Sequence, residues 1–466
     1  MGSYYLLNKK NMKKNLFYLF ALICSMSLFT ACSDDDDPSW KKLPTQAITA
    51  ENLSLTTNIP NNPDASVKLI MSDAQSGVIA LSKAVRGMDE VEVNVNVTEQ
   101  SDGSFKFQGE KNIETTTKAM TDLISSTTVR VEGTITLDGK AEVAVTTAAT
   151  GNLVKKWNMC DNFVFDKKSK IAHAPFMLNW VSPYADADGQ NAGLAAENIQ
   201  HMGSIIVSGI MVKLLKDVEF KADGSIVANY AKDVEINQDE IISGIFGGGG
   251  LPSTEDITWL TSPANLAYWY AGNDHVHVLL NIPAIVAEAM KDAENPSMTP
   301  EAILGIVEMV KGMTGAQIKE LLGGFLSSMG SDNILSKLDI TKISDSDIEK
   351  LIGYVVNGFP LGYDTSEVAL KDGSKVSTFH VYLEKEIFDI FMPALYPMLP
   401  DLDVMLKNMT VEVFGSPMPV WGLIRMLTAL NSLTEFEDVW KATTLFNVGL
   451  DLATGSLKDV AEEEEE

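Results

Sequence analysis

His275-Val276-His277 puts two imidazoles on one face of a strand with Asp274 beside them, a spacing that can present two ligands to a metal. It equally describes a polar face over a core made by Val276 and Val278. No third ligand is in view, so His275 and His277 are weak metal candidates. Asp186-Ala187-Asp188-Gly189, with Glu197 at the twelfth position, shares part of a calcium loop. Its glycine falls fourth instead of sixth and Gln190 stands where an acid belongs, which reads as a polar loop. Gly247 to Gly250 lead into Leu251-Pro252 rather than a lysine and a helix start, so they form a flexible loop and not a phosphate cradle. There is no Gly-x-Ser-x-Gly, no His-Glu-x-x-His and no cofactor motif, and Cys160 has no histidine near it in sequence. With 63 acidic residues, pairs such as Asp401/Asp403 and Glu435/Glu437 carry no weight. Glycosidase carboxylates need no local motif, so a hydrolase acting on glycan or lipid stays open as the second reading. The best binding candidates are Trp259, Tyr268, Trp269 and Tyr270, whose faces can stack on sugars or line an apolar pocket. Large aromatics also fill cores, and strand alternation sends Trp269 one way and Tyr268 and Tyr270 the other.

Positioning these residues takes two kinds of element. From Ala50 to Lys155 the period is two: Val67-Leu69-Met71, Val91-Val93-Val95-Val97, Val129-Val131, Ile135-Leu137 and Val143-Val145. Such alternation means strands with one buried face, and Asp102-Gly103 and Asp138-Gly139 supply the positive φ that hairpins need. Thr115 to Ile124 reads as a short helix with Met120, Leu123 and Ile124 at helical spacing. Periodicity fades at the lysine clusters around 155, where a boundary is expected. Beyond it, strands are expected at 203–212, 218–220, 226–230, 266–270, 275–280, 376–383, 409–414 and 444–452, with Asp223-Gly224 and Asp372-Gly373 as turns. A helical insert at 285–358 carries N-terminal signals at Thr299-Pro300-Glu301, Thr314/Gln317 and Ser346/Glu349. Further helices are expected from 386, broken by Pro393, Pro397 and Pro400, and at 420–430 and 435–440.

Composition bounds the class. At 45% hydrophobic and 21% charged the chain is globular, and 466 residues suit two domains. Lys13 and Lys14 precede an apolar run from Leu16 to Phe29, the layout of a secretory leader over residues 1–31, with Met12 the better initiator. That run is shorter than the roughly 20 residues that span a bilayer. Losing Lys9, Lys10, Lys13 and Lys14 takes the formal charge from −27 to −31, a surface that repels phosphate backbones, so no nucleic acid is expected as partner. Cys24 lies in the leader, and Cys160 alone cannot staple a fold, so stability must come from burial.

Leu28-Phe29-Thr30-Ala31-Cys32 resembles the lipobox of a bacterial lipoprotein, although Phe29 stands where an aliphatic residue is usual. The resemblance implies lipidation at Cys32. Ser33-Asp34-Asp35-Asp36-Asp37 is similar to the export tag of Bacteroidetes surface lipoproteins and also reads as a solvated spacer. Together with Val131-Glu132-Gly133-Thr134-Ile135-Thr136-Leu137-Asp138-Gly139-Lys140 and Val218-Glu219-Phe220-Lys221-Ala222-Asp223-Gly224-Ser225-Ile226, these features resemble uncharacterised Bacteroidetes outer-membrane lipoproteins with a calycin-like, that is lipocalin-like, β-barrel. The resemblance implies a barrel and an outer-membrane address and assigns no catalytic residue. The expected organisation is a leader (1–31), an acidic tether (32–48), an antiparallel meander or calycin-like barrel (49–155), an α+β domain (156–457) and an acidic tail (458–466). The expected function is a surface-exposed, lipid-anchored, non-enzymatic binding module for a small apolar molecule or glycan, as part of an uptake system.

Overall fold

The computed structural model describes residues 38–115, 118–168, 170–185, 189, 192–234, 250–272, 274–290, 305, 309–310, 312–328, 334–413 and 416–461. The leader, Cys32, the aspartate run, Asp186 to Asp188, Gln190, Gly247 to Gly249, Thr299-Pro300-Glu301 and residues 462–466 lie outside them.

Seven strands, β1 (Leu53–Thr57), β2 (Ser66–Met71), β3 (Ser76–Val85), β4 (Met88–Glu99), β5 (Phe105–Glu114), β6 (Ser126–Ile135) and β7 (Ala141–Thr150), form the first sheet in the order β1-β7-β6-β5-β4-β3-β2. The alternating residues Val67, Ile79, Val93, Val95, Val129, Val131, Val143 and Val145 all point into one core. Packing begins ahead of residue 49. Within the stretch expected to be tether, Ser39–Lys42 forms a 3₁₀ turn, and Leu43 and Ile48 are buried in the first core. The sheet curls until its edges almost meet, because Ile48 exchanges backbone hydrogen bonds with Val67 of β2 while β1, five residues on, lies parallel to β7.

The closed barrel is built instead from the second part of the chain. Its strands are β8 (Lys156–Met159), β12 (Leu215–Phe220), β13 (Ser225–Ala231), β15 (Ala267–Gly272), β16 (His275–Leu280), β17 (Phe359–Ala369), β18 (Lys375–Glu384) and β21 (Leu445–Ala453). Antiparallel pairing runs through all eight and returns from β21 to β8 at Leu452↔Met159. This corrects the expectation of a barrel at 49–155. Alternation reports one buried face but not closure, and only a single bridge links the two edges of the first sheet.

Between these strands lie β9 (Val164–Phe165), β10 (Ile171–His173), β11 (Phe176–Val181), β14 (Trp259–Thr261), β19 (Thr410–Val413) and β20 (Ser416–Pro419). The helices are α1 (Lys118–Thr121), α2 (Leu194–Leu214), α3 (Ile282–Met290), α4 (Gly315–Ser328), α5 (Asp345–Asn357), α6 (Lys385–Leu395), α7 (Leu399–Asn408), α8 (Val420–Thr428) and α9 (Phe436–Lys441). Among the described residues no helix is long and apolar enough to cross a membrane.

Two local expectations are overturned. The stretch 203–212 is not a strand but part of α2. Its Gln200, Ser204 and Ser208, four residues apart on one helix face, accept hydrogen bonds from the backbone N–H groups of Trp180, Leu178 and Phe176. The helix thus satisfies the outer edge of β11, and this tertiary role outweighs the β propensity of Ile205, Ile206 and Val207. The N-cap of α5 is Ser344, which accepts from Asp347 N, two residues ahead of the expected Ser346. At the carboxy-terminal end of the described chain, part of the expected acidic tail is docked, since Lys371 N donates to Asp459 O and Ala461 N to Ala369 O.

The expected helix at 115–124 has a structural task. Met120, Leu123 and Ile124, from α1 and the turn after it, join Trp157, Phe220, Trp269, Val276 and Phe379 in the barrel core. The first unit therefore seals one end of the barrel. The lumen is packed, with Trp157 5.3 Å from Phe379 and Phe220 5.9 Å from Trp269 between ring centroids, so it belongs with small barrels filled by their own side chains.

Candidate functional site

Where the two units meet, the structure leaves little space. Asn58 ties the units by donating to Thr147 O and Asp223 O. Arg86, in the β3–β4 turn, donates to Pro60 O, Asn61 O and Asn357 Oδ1. The cavity between the units is about 40 Å³, room for roughly one to three waters and no ligand.

The opposite end of the barrel carries a cleft of about 740 Å³, in the range of small-molecule sites. Four segments frame it: the end of β8 with Cys160 to Asn162, the α2–β12 junction at Val212 to Lys216, Gly250 to Glu255 with Trp259, and Gly455 to Lys458 after β21. Trp259 stands beyond the rim because β14 pairs with the end of β13, Trp259 opposite Ala231. Its indole is half-buried, and among the described residues nothing accepts from its N–H. The buried tryptophans differ: Trp157 donates to Leu153 O, Trp269 to Lys221 O and Trp180 to Thr443 Oγ1. Lys216 reaches the cleft through a β-bulge, since β12 pairs Leu215 with Tyr230 and Asp217 with Asn229, leaving Lys216 as the extra residue. Bulges re-aim side chains in this way. Asp161 accepts from Ser456 Oγ at 2.6 Å and from Leu457 N at 2.8 Å, which fixes the turn that presents Lys458.

Of the four aromatics singled out in the sequence, Trp259 lines this cleft together with Gly250 of the glycine run. Trp269 is 2% exposed in the barrel core with its N–H satisfied. Tyr270 points to the junction with the first unit, donates its hydroxyl to Asn357 O, and stacks on His277 with centroids 4.8 Å apart. Tyr268 is half-buried, and burial and then Asp223 push its phenol up. The four are not brought together. His275 bonds Glu384 Oε2 at 3.1 Å, and His277 Nε2 sits 3.0 Å from Gly272 O, so the two imidazoles turn to different partners. Among the described residues no three His, Cys, Asp or Glu side chains are grouped to hold a metal. Glu197, the last residue of the calcium-like pattern, lies in the first turn of α2 and pairs with Lys170.

No protein family, curated protein or solved structure matches this chain. One further polar group went unseen in the sequence because its members are scattered along the chain. Asp451 of β21, 1% exposed, lies opposite His380 of β18 and receives His173 Nδ1 at 2.7 Å, while Cys160 N donates to its backbone carbonyl. Asp451 Oδ1 and His380 Nε2 have no hydrogen-bond partner among the described residues. This is not an activated thiol. Burial raises the Cys160 thiol pKa, and the carboxylates of Asp451 and Asp161 raise it further, the opposite of what a nucleophilic cysteine needs.

Proposed function

We propose that the chain is a non-enzymatic binding protein, anchored through Cys32 in the outer membrane and displayed on its outer face, whose cleft at the free end of the barrel takes a small apolar molecule or a glycan for an uptake system. The observation that carries this reading is the 740 Å³ cleft with Trp259 half-buried in its wall. The closed eight-stranded barrel supports a calycin-like relationship, carried by residues 156–453 rather than 49–155. Because its lumen is filled, binding moves from the interior to the rim. The hydrolase reading gains nothing here. Of the two described acids in the cleft, Asp161 has both oxygens engaged, which leaves Glu255 without a partner acid for general acid–base work.

Display of the cleft fits the path of the chain. Pro38 is six residues past Cys32, and the chain enters the fold near the β6–β7 turn, Pro44 lying 3.7 Å from where a Cβ on Gly139 would stand. That turn ends the first sheet away from the barrel. β6 and β12 thus lie between the point where the chain enters the fold and the cleft.

One pair of measurements tests both halves. Cys32→Ala is expected to move the protein from the membrane to the soluble fraction, and its retention by membranes would overturn the anchor. A thermal-shift screen of sugars, fatty acids, bile acids and haem is expected to find a compound that raises the melting temperature of the parent protein but not of Trp259→Ala. A ligand that stabilises both equally would take binding away from this cleft.

A further inference from the structure

Resting on the assignment of the cleft as the binding site, we infer that its ligand is an acidic sugar, with the acid group met by Lys216 and Lys458, the ring face by Trp259 and hydroxyls by Glu255. Some lysines of this chain pair with carboxylates, and others, such as Lys106, Lys221 and Lys232, have no ion-pair partner among the described residues. Lys156 lies 2.8 Å from Asp217, and Lys170, Lys375, Lys385, Lys407 and Lys441 are likewise paired, whereas the cleft's own lysines are not. Lys216 and Lys458 line the cleft and have no ion-pair partner among the described residues.

Both lysines are held there by dedicated local structure. The bulge at Lys216 interrupts a strand ladder that would otherwise continue from Leu215 to Asp217. Asp217 anchors the strand just beyond it, buried, accepting from Asn229 Nδ2 at 2.6 Å and paired with Lys156. Lys458 follows a turn that Asp161 clamps through Ser456 Oγ and Leu457 N. Asp161 is therefore a positioning residue, its hydrogen-bonding capacity taken up by that turn.

The remaining groups decide the class. Glu255 is exposed on the loop leading to Trp259 and has no ion-pair partner among the described residues, so it offers an acceptor to hydroxyl donors. A fatty acid has a carboxylate but neither a ring face nor hydroxyls, and a neutral sugar leaves both lysines unanswered. A uronic-acid sugar meets all three demands, since carboxylate and ammonium pair by charge-assisted hydrogen bonds and the C–H face of the ring stacks on indole.

The test is calorimetric titration of the full-length protein with trigalacturonate and with neutral maltotriose, at low and high salt. Trigalacturonate is expected to bind about tenfold tighter at low salt, with the gap closing as salt screens the exposed lysines. In the double variant Lys216→Gln/Lys458→Gln the preference should vanish while the melting temperature stays put, because both side chains are exposed. Trp259→Ala should weaken both sugars. Equal binding of the two sugars, unmoved by the lysine changes but weakened by Trp259→Ala, overturns the acidic-sugar inference and leaves the cleft reading standing. Binding of neither sugar overturns the inference, and binding indifferent to Trp259→Ala overturns the cleft reading beneath it.

Discussion

The first sheet and the barrel fill their interiors differently. Between the strands of the first sheet the core is almost wholly aliphatic, valine and isoleucine with Phe105 and Phe107. The barrel is packed with Trp157, Trp269, Phe220 and Phe379, in tilted and edge-to-face contacts. Short branched residues at every second position suit a pleated wall and need nothing from outside. Wide rings fill a barrel lumen but leave its end to be closed, and here Met120, Leu123 and Ile124 of the neighbouring unit close it. One unit is self-sufficient in its core and the other borrows.

The largest break in that contrast is Trp269→Ala, which removes a fully buried ring together with the partner of Lys221 O. It should destabilise the barrel by about 3–5 kcal/mol, seen as a fall in the melting temperature of the unliganded protein. An unchanged melting temperature would mean that the lumen is not the packed core described here. Leu123→Ala asks whether the plug belongs to the barrel. A loss of about 2–5 kcal/mol is expected, with faster hydrogen exchange in β8, β15 and β18 than in β3 to β6, and the reverse order would assign Leu123 to its own sheet. The smallest effect is on pH. All five histidines lie beyond residue 170, so titration near neutrality belongs to the barrel half. Burial holds His380 and His277 below the ordinary 6.5, opposed at His380 by Asp451 and Asp364 and aided by His173. The unfolded chain then binds more protons than the folded one as pH falls below about 6.5, so stability is full above that value and declines beneath it. Denaturant midpoints from pH 7.5 to 5 should fall, with a shallower slope in His380→Gln. Opening free energies from exchange in the first sheet, corrected for the intrinsic pH dependence of exchange, should stay flat over the same range.

Legibility followed the same division. The hairpins were readable because Asp-Gly fixes a turn locally. Gly103, Gly139, Gly224 and Gly373 all sit at φ between 82° and 86°. Asp102, Asp223 and Asp372 each accept from the serine N–H two residues on. The plug was readable as a helix but not as a plug, since the rings it covers are supplied by residues up to Phe379. The candidate site was legible only at Trp259 and Gly250. Lys216 owes its place to a bulge and Lys458 to a turn clamped from Asp161, and neither a register slip nor a contact across the chain leaves a mark in local spacing. Strand β11 shows the same limit, because what completes its edge is a face of α2 whose sequence reads as strand.

Strand β21 serves three neighbours. It bonds β18 from Thr378 to Glu384, β11 from Phe176 to Val181, and β8 at Met159 and Asn158. It follows all three of them in the chain. The roughly 290 residues between Met159 and Leu452 take about 15–60 s to synthesise at ordinary elongation rates. Until Leu445 is made, β8 and β11 wait through most of that interval and β18 from Glu384 onward, each with an edge that β21 will pair, and such edges template aggregation. The far side of β11 is shielded meanwhile by Gln200, Ser204 and Ser208. A chain stopped before Leu445 keeps all three of these edges without their partner strand.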